Sequence, residues 1–270
     1  MIKIAVSNLA WRKSEDEKVF EIMRDLNVLN LEVSPFRDAS TLPEVKTQFN
    51  NETARLLNKY GIHVAAFQAL MFRYPEVSIF EGETARNRIL EHLKGVLEFL
   101  NQTGATIAVF GAPKNKIRGT LSHDEAMSIA KDFFRQIAEQ AKIFNVIFCI
   151  EPTPTAYGAD FICNTQEAVD FVKTIGHDSL KINLDIGSSI LNEENIEKII
   201  NENIDCVGHL HISEPYLKTI NLSPSFHKSV AKTLKANHYN RFISIEMLPN
   251  NEIDVKNIAK IISFVKDIYQ

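Results

Sequence analysis

Short β-branched runs alternate with amphipathic stretches eight times along this chain, and that alternation constrains its fold more than any other feature. The strand candidates are residues 2–7, 28–33, 62–68, 105–110, 146–151, 180–185, 206–212 and 241–247. Helix-period stretches lie between them near 15–26, 42–59, 84–102, 122–144, 165–175, 193–203, 225–237 and 252–268. Strands separated by helices of this length read as βαβ units, which build a parallel sheet with helices outside it. Eight units fill all 270 residues, as a closed barrel requires. An open dinucleotide-binding sheet is disfavoured because no G-x-G-x-x-G follows the first strand. The expectation is an α/β fold, a (β/α)8 TIM barrel, as a single domain over residues 1–270.

Helix boundaries carry local signals. Ser122 stands three residues before Glu125, and Ser14 three before Glu17, so both read as capping boxes. Gly61 and Gly104 close helices just ahead of the next strand. Connections into strands are short, whereas those out of strands, 69–83, 111–121, 152–164 and 213–224, run to a dozen residues or so. Connections in compact domains usually take ~4–6 residues. Long loops gathered at one end mark the C-terminal mouth, where a (β/α)8 barrel builds its active site.

Composition narrows the partners. Hydrophobic residues make up 45% of the chain, charged residues 24%, and the net charge is −4, an ordinary balance for a globular domain. No Lys/Arg run offers nucleic acid a footprint. No apolar run approaches the ~18 residues of a membrane span, and the apolar run at the N-terminus is too short for a signal peptide. Cys149, Cys163 and Cys206 form an odd set without a C-x-x-C pair, which fits a reducing cytoplasm better than a disulfide framework. The expectation is a cytoplasmic protein with a small-molecule substrate, no nucleic acid and no membrane partner. A homo-oligomer stays open.

Strand side chains alternate between the helix layer and the barrel interior. Phe148 and Ile150 oppose Cys149 and Glu151; Ile182 and Leu184 oppose Lys181, Asn183 and Asp185. Leu210 and Ile212 oppose His209 and His211; Ile243 and Ile245 oppose Phe242, Ser244 and Glu246. The inward set therefore ends at the mouth in Glu151, Asp185, His211 and Glu246. Singly, such residues have ordinary roles as solvated, capping or hydrogen-bonded groups. Together, three converging carboxylates repel one another unless a cation sits among them. Three carboxylates and an imidazole suit one divalent metal ion, Mn²⁺, Mg²⁺, Co²⁺ or Zn²⁺, with positions left for substrate.

Through these segments the chain resembles the xylose-isomerase-like TIM-barrel superfamily, which includes sugar isomerases, ketose 3-epimerases and AP endonucleases. The resemblance runs through Phe67-Gln68-Ala69-Leu70, Val109-Phe110-Gly111-Ala112-Pro113-Lys114-Asn115 and Ile150-Glu151-Pro152. It continues through Asn183-Leu184-Asp185-Ile186-Gly187, His209-Leu210-His211-Ile212-Ser213-Glu214-Pro215 and Ser244-Ile245-Glu246-Met247. The branch it looks most like is that of the sugar phosphate isomerases/epimerases. This implies a metal-dependent isomerase or epimerase acting on a sugar, sugar phosphate or polyol through a metal-stabilised enediolate. Glu151 and Glu246 match the two glutamates that move the proton on opposite faces of the substrate. A dehydratase using the same enolate, and a non-catalytic sugar- or metal-binding barrel, are the alternatives.

The chain departs from the ketose 3-epimerase pattern at three places. Ser188 replaces a histidine, Leu217 replaces an arginine, and no glutamate stands around Tyr157-Gly158. An AP endonuclease would need further histidines at the ends of strands two and three, where Glu32 and Gln68 stand, and His63 lies at the wrong end of its strand.

Further residues are candidates for substrate contact. Gln68 would bond a substrate hydroxyl or a neighbouring loop. Lys114, ahead of Lys116 and Arg118, would hold an anionic group or lie solvated. Trp11 would floor a sugar face or pack in the core, and His209 would support the layer beneath the metal. Glu214 and His227 would reach substrate or cap the seventh helix.

Overall fold

Eight parallel strands pair in chain order and close on themselves, β1 meeting both β2 and β8. They are β1 Lys3–Ser7, β2 Asn30–Val33, β3 His63–Phe67, β4 Ile107–Phe110, β5 Ile147–Ile150, β6 Leu180–Asp185, β7 Val207–Ile212 and β8 Phe242–Ile245. The expected (β/α)8 barrel is the observed fold, with the expected strands trimmed by at most two residues at an end. The structure is a computed structural model and describes residues 1–74, 77–220, 223–249 and 255–270.

Ten α-helices accompany the strands among the described residues: α1 Asp16–Asp25, α2 Leu42–Gln48, α3 Ala54–Tyr60, α4 Glu83–Gln102, α5 His123–Ile143, α6 Thr165–Ile175, α7 Ile186–Leu191, α8 Ile196–Asn203, α9 Pro224–Ala236 and α10 Val255–Tyr269. The start of the expected last helix, 252–254, lies outside the described residues. The capping box at Ser122 and Glu125 forms, and Gly61 and Gly104 take the left-handed φ of 66° and 82° that ends a helix. The box expected at Ser14 does not form. Instead Glu15 accepts from the Arg12 amide at 3.0 Å, α1 starts at Asp16, and Glu17 pairs with Lys59 at 2.6 Å.

Two helices differ from expectation for local reasons. The stretch 42–59 is not one helix, because a π-helical turn at Phe49–Thr53 separates α2 from α3, and its two asparagines are weak helix formers. Helix α7 escapes the periodicity because Gly187, Ser188 and Ser189 sit in only two turns. Asp185 starts it by accepting from the Ser188 amide at 2.6 Å.

Packing sorts the strand residues as alternation requires. Phe148, Ile150, Leu184, Leu210, Ile212 and Ile245 join the large core between barrel and helices. Inside the barrel, Ala66, Ile107, Val109 and Cys149 form a small apolar layer on the β3–β5 side. The other side is polar: Glu32, Asn183, His209, His211 and Ser244 are all fully buried. A buried apolar side chain contributes ~1.5–3 kcal/mol to stability, and these positions forgo it. No helix among the described residues is long and apolar enough to cross a membrane.

Candidate active site

Strands β5 to β8 stand side by side, and their C-terminal ends bring four side chains to one point. Register aligns Asp185 with His211 and His211 with Ser244, two residues before Glu246. Around Nδ1 of His211 lie Glu246 Oε2 at 2.9 Å, Glu151 Oε2 at 3.6 Å and Asp185 Oδ2 at 3.8 Å. That nitrogen is buried and makes no well-aligned hydrogen bond. Two of the three carboxylates are held from behind. Asn183 Nδ2 donates to Glu151 Oε2 at 2.8 Å, and Ser213 Oγ donates to Asp185 Oδ2 at 2.5 Å. On the far side of the imidazole, His211 Nε2 donates to Glu32 Oε1 at 3.2 Å.

Electrostatics ask for a cation here. Burial pushes the Glu151 carboxyl up to about 8, with Asp185 and Glu246 adding to the rise against the pull of His211. Burial raises Glu246 as well. Burial disfavours a charged His211, yet Glu246 and Glu32 outweigh it and hold the ring well above its usual value. Burial likewise opposes charge on Glu32, but His211 and His209 overcome it and keep that carboxyl well below the usual range. Two buried glutamates that would rather take protons, facing an imidazole nitrogen without a good partner, fit a divalent cation. The donor set present therefore suits the metal, with Asp185, His211 and Glu246 close enough to share one ion.

Two cavities open on this cluster, one of about 620 Å³ and one of about 330 Å³. Glu151, Glu246, Gly111, Ala112 and Leu217 line both. The larger continues past Trp11, Arg37 and Gln68, the smaller past Asp185, Ser188 and Tyr216. Gly111 leaves room for the Glu151 carboxylate, since a Cβ there would stand 3.0 Å from Glu151 Oε1. Ala69, Ala112 and Leu217 line the larger cavity with φ of 52°, 41° and 51°. Such backbone costs on the order of 1–3 kcal/mol each and concentrates where function needs it.

The profile of the xylose isomerase-like TIM barrel family matches residues 20–268. The chain belongs to that family. D-psicose 3-epimerase from Ruminiclostridium cellulolyticum is 35% identical over 81 residues, 30% of this chain and 27% of that protein's length. Among solved structures, 3-keto-D-glucoside 4-epimerase from E. coli superposes with a TM-score of 0.80 at 17% identity, covering 99% of this chain and 100% of the other. D-psicose 3-epimerase from Clostridium cellulolyticum H10, with D-tagatose, gives 0.78 at 18% identity over 100% of both chains. At those identities the structural likeness is one of fold.

In this xylose isomerase-like barrel the expected substrate-contact residues divide. Trp11 lines the large cavity and is also core, 1% exposed, with Nε1 bonded to Asp16 at 2.7 Å. Gln68 lines it too, and its amide donates to Ser7 Oγ at 2.5 Å. Lys114 is exposed and lines a neighbouring cavity of about 780 Å³ that holds neither glutamate. Residues Pro113–Lys116 form one 3-10 turn that points Lys116 inward instead. Arg118 is occupied with the main-chain oxygens of Asp160 and Leu121. His209 lies fully buried, with Nε2 3.2 Å from Glu32 Oε1.

Two of the expected residues stand apart from these cavities. Glu214 lines neither cavity; its backbone packs on Gly187, where a Cβ would meet the Glu214 carbonyl carbon at 2.6 Å. His227 also lines neither, because it is buried in the helix layer, 2.7 Å from the Tyr269 hydroxyl. The structure gives a role to Glu32, which the sequence placed at the end of strand two, in Asn30-Leu31-Glu32-Val33, without a partner. It also adds Arg37, which lines the large cavity while paired with Asp16 and Asp38.

Proposed function

We propose that this protein is a divalent-metal-dependent sugar isomerase or epimerase that moves a proton next to a carbonyl. The observation carrying the reading is that Glu151 and Glu246, which converge on His211, both open onto the same two cavities. Glu151, Asp185, His211 and Glu246 would hold the metal. Bound there, it supplies positive charge beside the substrate oxygens on which negative charge develops.

The glutamates do the proton work. One removes the proton from the carbon beside the carbonyl, leaving a planar enediolate. The other returns a proton to the opposite face, which inverts that carbon, or to the neighbouring carbon, which moves the carbonyl. Asn183 fixes one Glu151 oxygen at 2.8 Å and leaves the other for the substrate. Water exclusion falls to the loop residues Tyr157 and Tyr216, which pack ring to ring with 5.4 Å between centroids beside the smaller cavity.

The local similarity to D-psicose 3-epimerase and the epimerase fold neighbours support this reading. Ser188 and Leu217 line the cavities where the resemblance would place a histidine and an arginine. The substrate is therefore assigned as a class, sugars and sugar derivatives carrying a hydroxy-carbonyl. Incubating the metal-loaded protein in D₂O with a panel of ketoses, ketose phosphates and ketones from polyols tests it. Deuterium entering beside the carbonyl without loss of water is expected. Loss of water would make the protein a dehydratase, and no exchange with any member would make it a binding protein.

A further inference from the structure

Glu32 is an expensive residue in its position. It lies on β2, three strands from β7 around the ring in the direction β1, β8, β7, and its side chain is 0% exposed. Burying a lone carboxylate costs several kcal/mol even after relaxation, so its partners must explain it. Its Oε1 sits 3.2 Å from Nε2 of both His209 and His211. No other titratable side chain has an ion pair with it among the described residues. The neighbours of Glu32 across the β1 and β3 registers, Ser7 and Ala66, carry no charge.

The two nitrogens of His211 look in opposite directions. Nε2 faces Glu32, and Nδ1 faces the oxygens of Glu151, Asp185 and Glu246. A carboxylate only accepts, so the contact with Glu32 is favourable only with a proton on Nε2. A neutral ring with that proton presents its lone pair at Nδ1, toward the cluster. The reverse tautomer would aim a lone pair at Glu32.

We infer that Glu32 is the positioning residue of the metal centre: it fixes His211 in the Nε2–H form, makes Nδ1 the ligand atom, and is itself braced by His209. The inference rests on the metal reading above and adds what that reading leaves open, namely how the imidazole is oriented. Such partners behind a ligand histidine govern metal affinity by about 10–100-fold.

Wild-type protein loaded with Zn²⁺ and ¹⁵N-labelled at histidine gives the first test. Long-range ¹H–¹⁵N spectra should show His211 protonated at Nε2 and metal-shifted at Nδ1. The second test is Glu32→Gln, which keeps the volume and an acceptor but removes the charge. Chelator competition should show Zn²⁺ affinity falling about 10–100-fold, with the circular dichroism of the wild type retained. Protonation at Nδ1, or Glu32→Gln affinity within twofold of wild type, would overturn the inference. So would two ions per wild-type chain with one lost in Glu32→Gln, since Glu32, His209 and His211 lie close enough to ligate an ion themselves. A wild type that binds no metal would instead overturn the metal reading, and the two failures are separate. If Glu32→Gln does not fold, the wild-type spectra decide alone.

Discussion

Lys116 donates its buried ammonium to the main-chain oxygen of Glu151 at 2.8 Å, with Thr153 Oγ1 at 3.4 Å as its second partner. Burial pushes this lysine down to about 8, so its charge costs stability, and what it supplies in return is a fixed end for β5. Lys116→Met fills the space without the charge. Stability by calorimetry should stay within about 1 kcal/mol or rise, as replacement of buried ions often shows, while turnover drops by roughly tenfold through a loosened Glu151. A large stability loss with turnover intact would make Lys116 a structural brace only.

Gly187 governs how the ends of β6 and β7 approach. Its amide donates to Ser213 Oγ at 2.9 Å, and the same hydroxyl donates to Asp185. Gly187→Ala would put a Cβ 2.6 Å from the Glu214 carbonyl carbon and 2.7 Å from its oxygen, backbone that cannot rotate aside. Urea denaturation should show a loss of about 1–3 kcal/mol. An unchanged midpoint would mean the two loops move apart freely.

Much of this architecture was legible in the sequence because it depends on local pattern. Alternation placed Glu151, Asp185, His211 and Glu246 on the inward face, and the barrel brought them within 3.8 Å of one nitrogen. Glu32 was not legible as a partner of His211, 179 positions away, because closure of the ring and not any short-range spacing joins them. Lys114 was preferred to Lys116 because nothing in Pro113-Lys114-Asn115-Lys116 states which lysine a single 3-10 turn buries. The side His227 faces was left open for a similar reason: an amphipathic helix start looks the same whether its histidine meets the mouth or the next helix. Arg37 and Asp38 lie in a loop after β2 too short to draw notice.

His227 gives the fold a dependence on acid. Burial pushes it down to about 4 from 6.5. The unfolded chain therefore binds more protons than the folded one between those values, and stability falls as pH drops through that window, by up to roughly 3 kcal/mol. His227→Gln keeps a partner for Tyr269 and removes the titration. Its unfolding free energy should fall less steeply than that of wild type from pH 6.5 to 4. Parallel curves would mean that His227 takes up its proton without cost.

Metal analysis of purified protein should find about one divalent ion per chain. Asp185→Asn and His211→Ala should each lose it, because too few donors remain for tight binding. Full occupancy in the double variant would place the ion elsewhere.

The central claim is that Glu151 and Glu246 share the proton work from two sides. They follow β5 and β8, with β6 and β7 between them, so a substrate held at the cluster meets each from a different direction. Glu151→Gln and Glu246→Gln keep an oxygen donor and a similar volume while removing the base. The measurement is deuterium incorporation beside the carbonyl, followed together with inversion or carbonyl transfer, in each metal-loaded variant. Both variants should retain the ion and lose turnover by about 10²–10⁴-fold, with one of them still exchanging the substrate proton without completing the reaction. Two variants that hold metal and turn over near the wild-type rate would contradict the account.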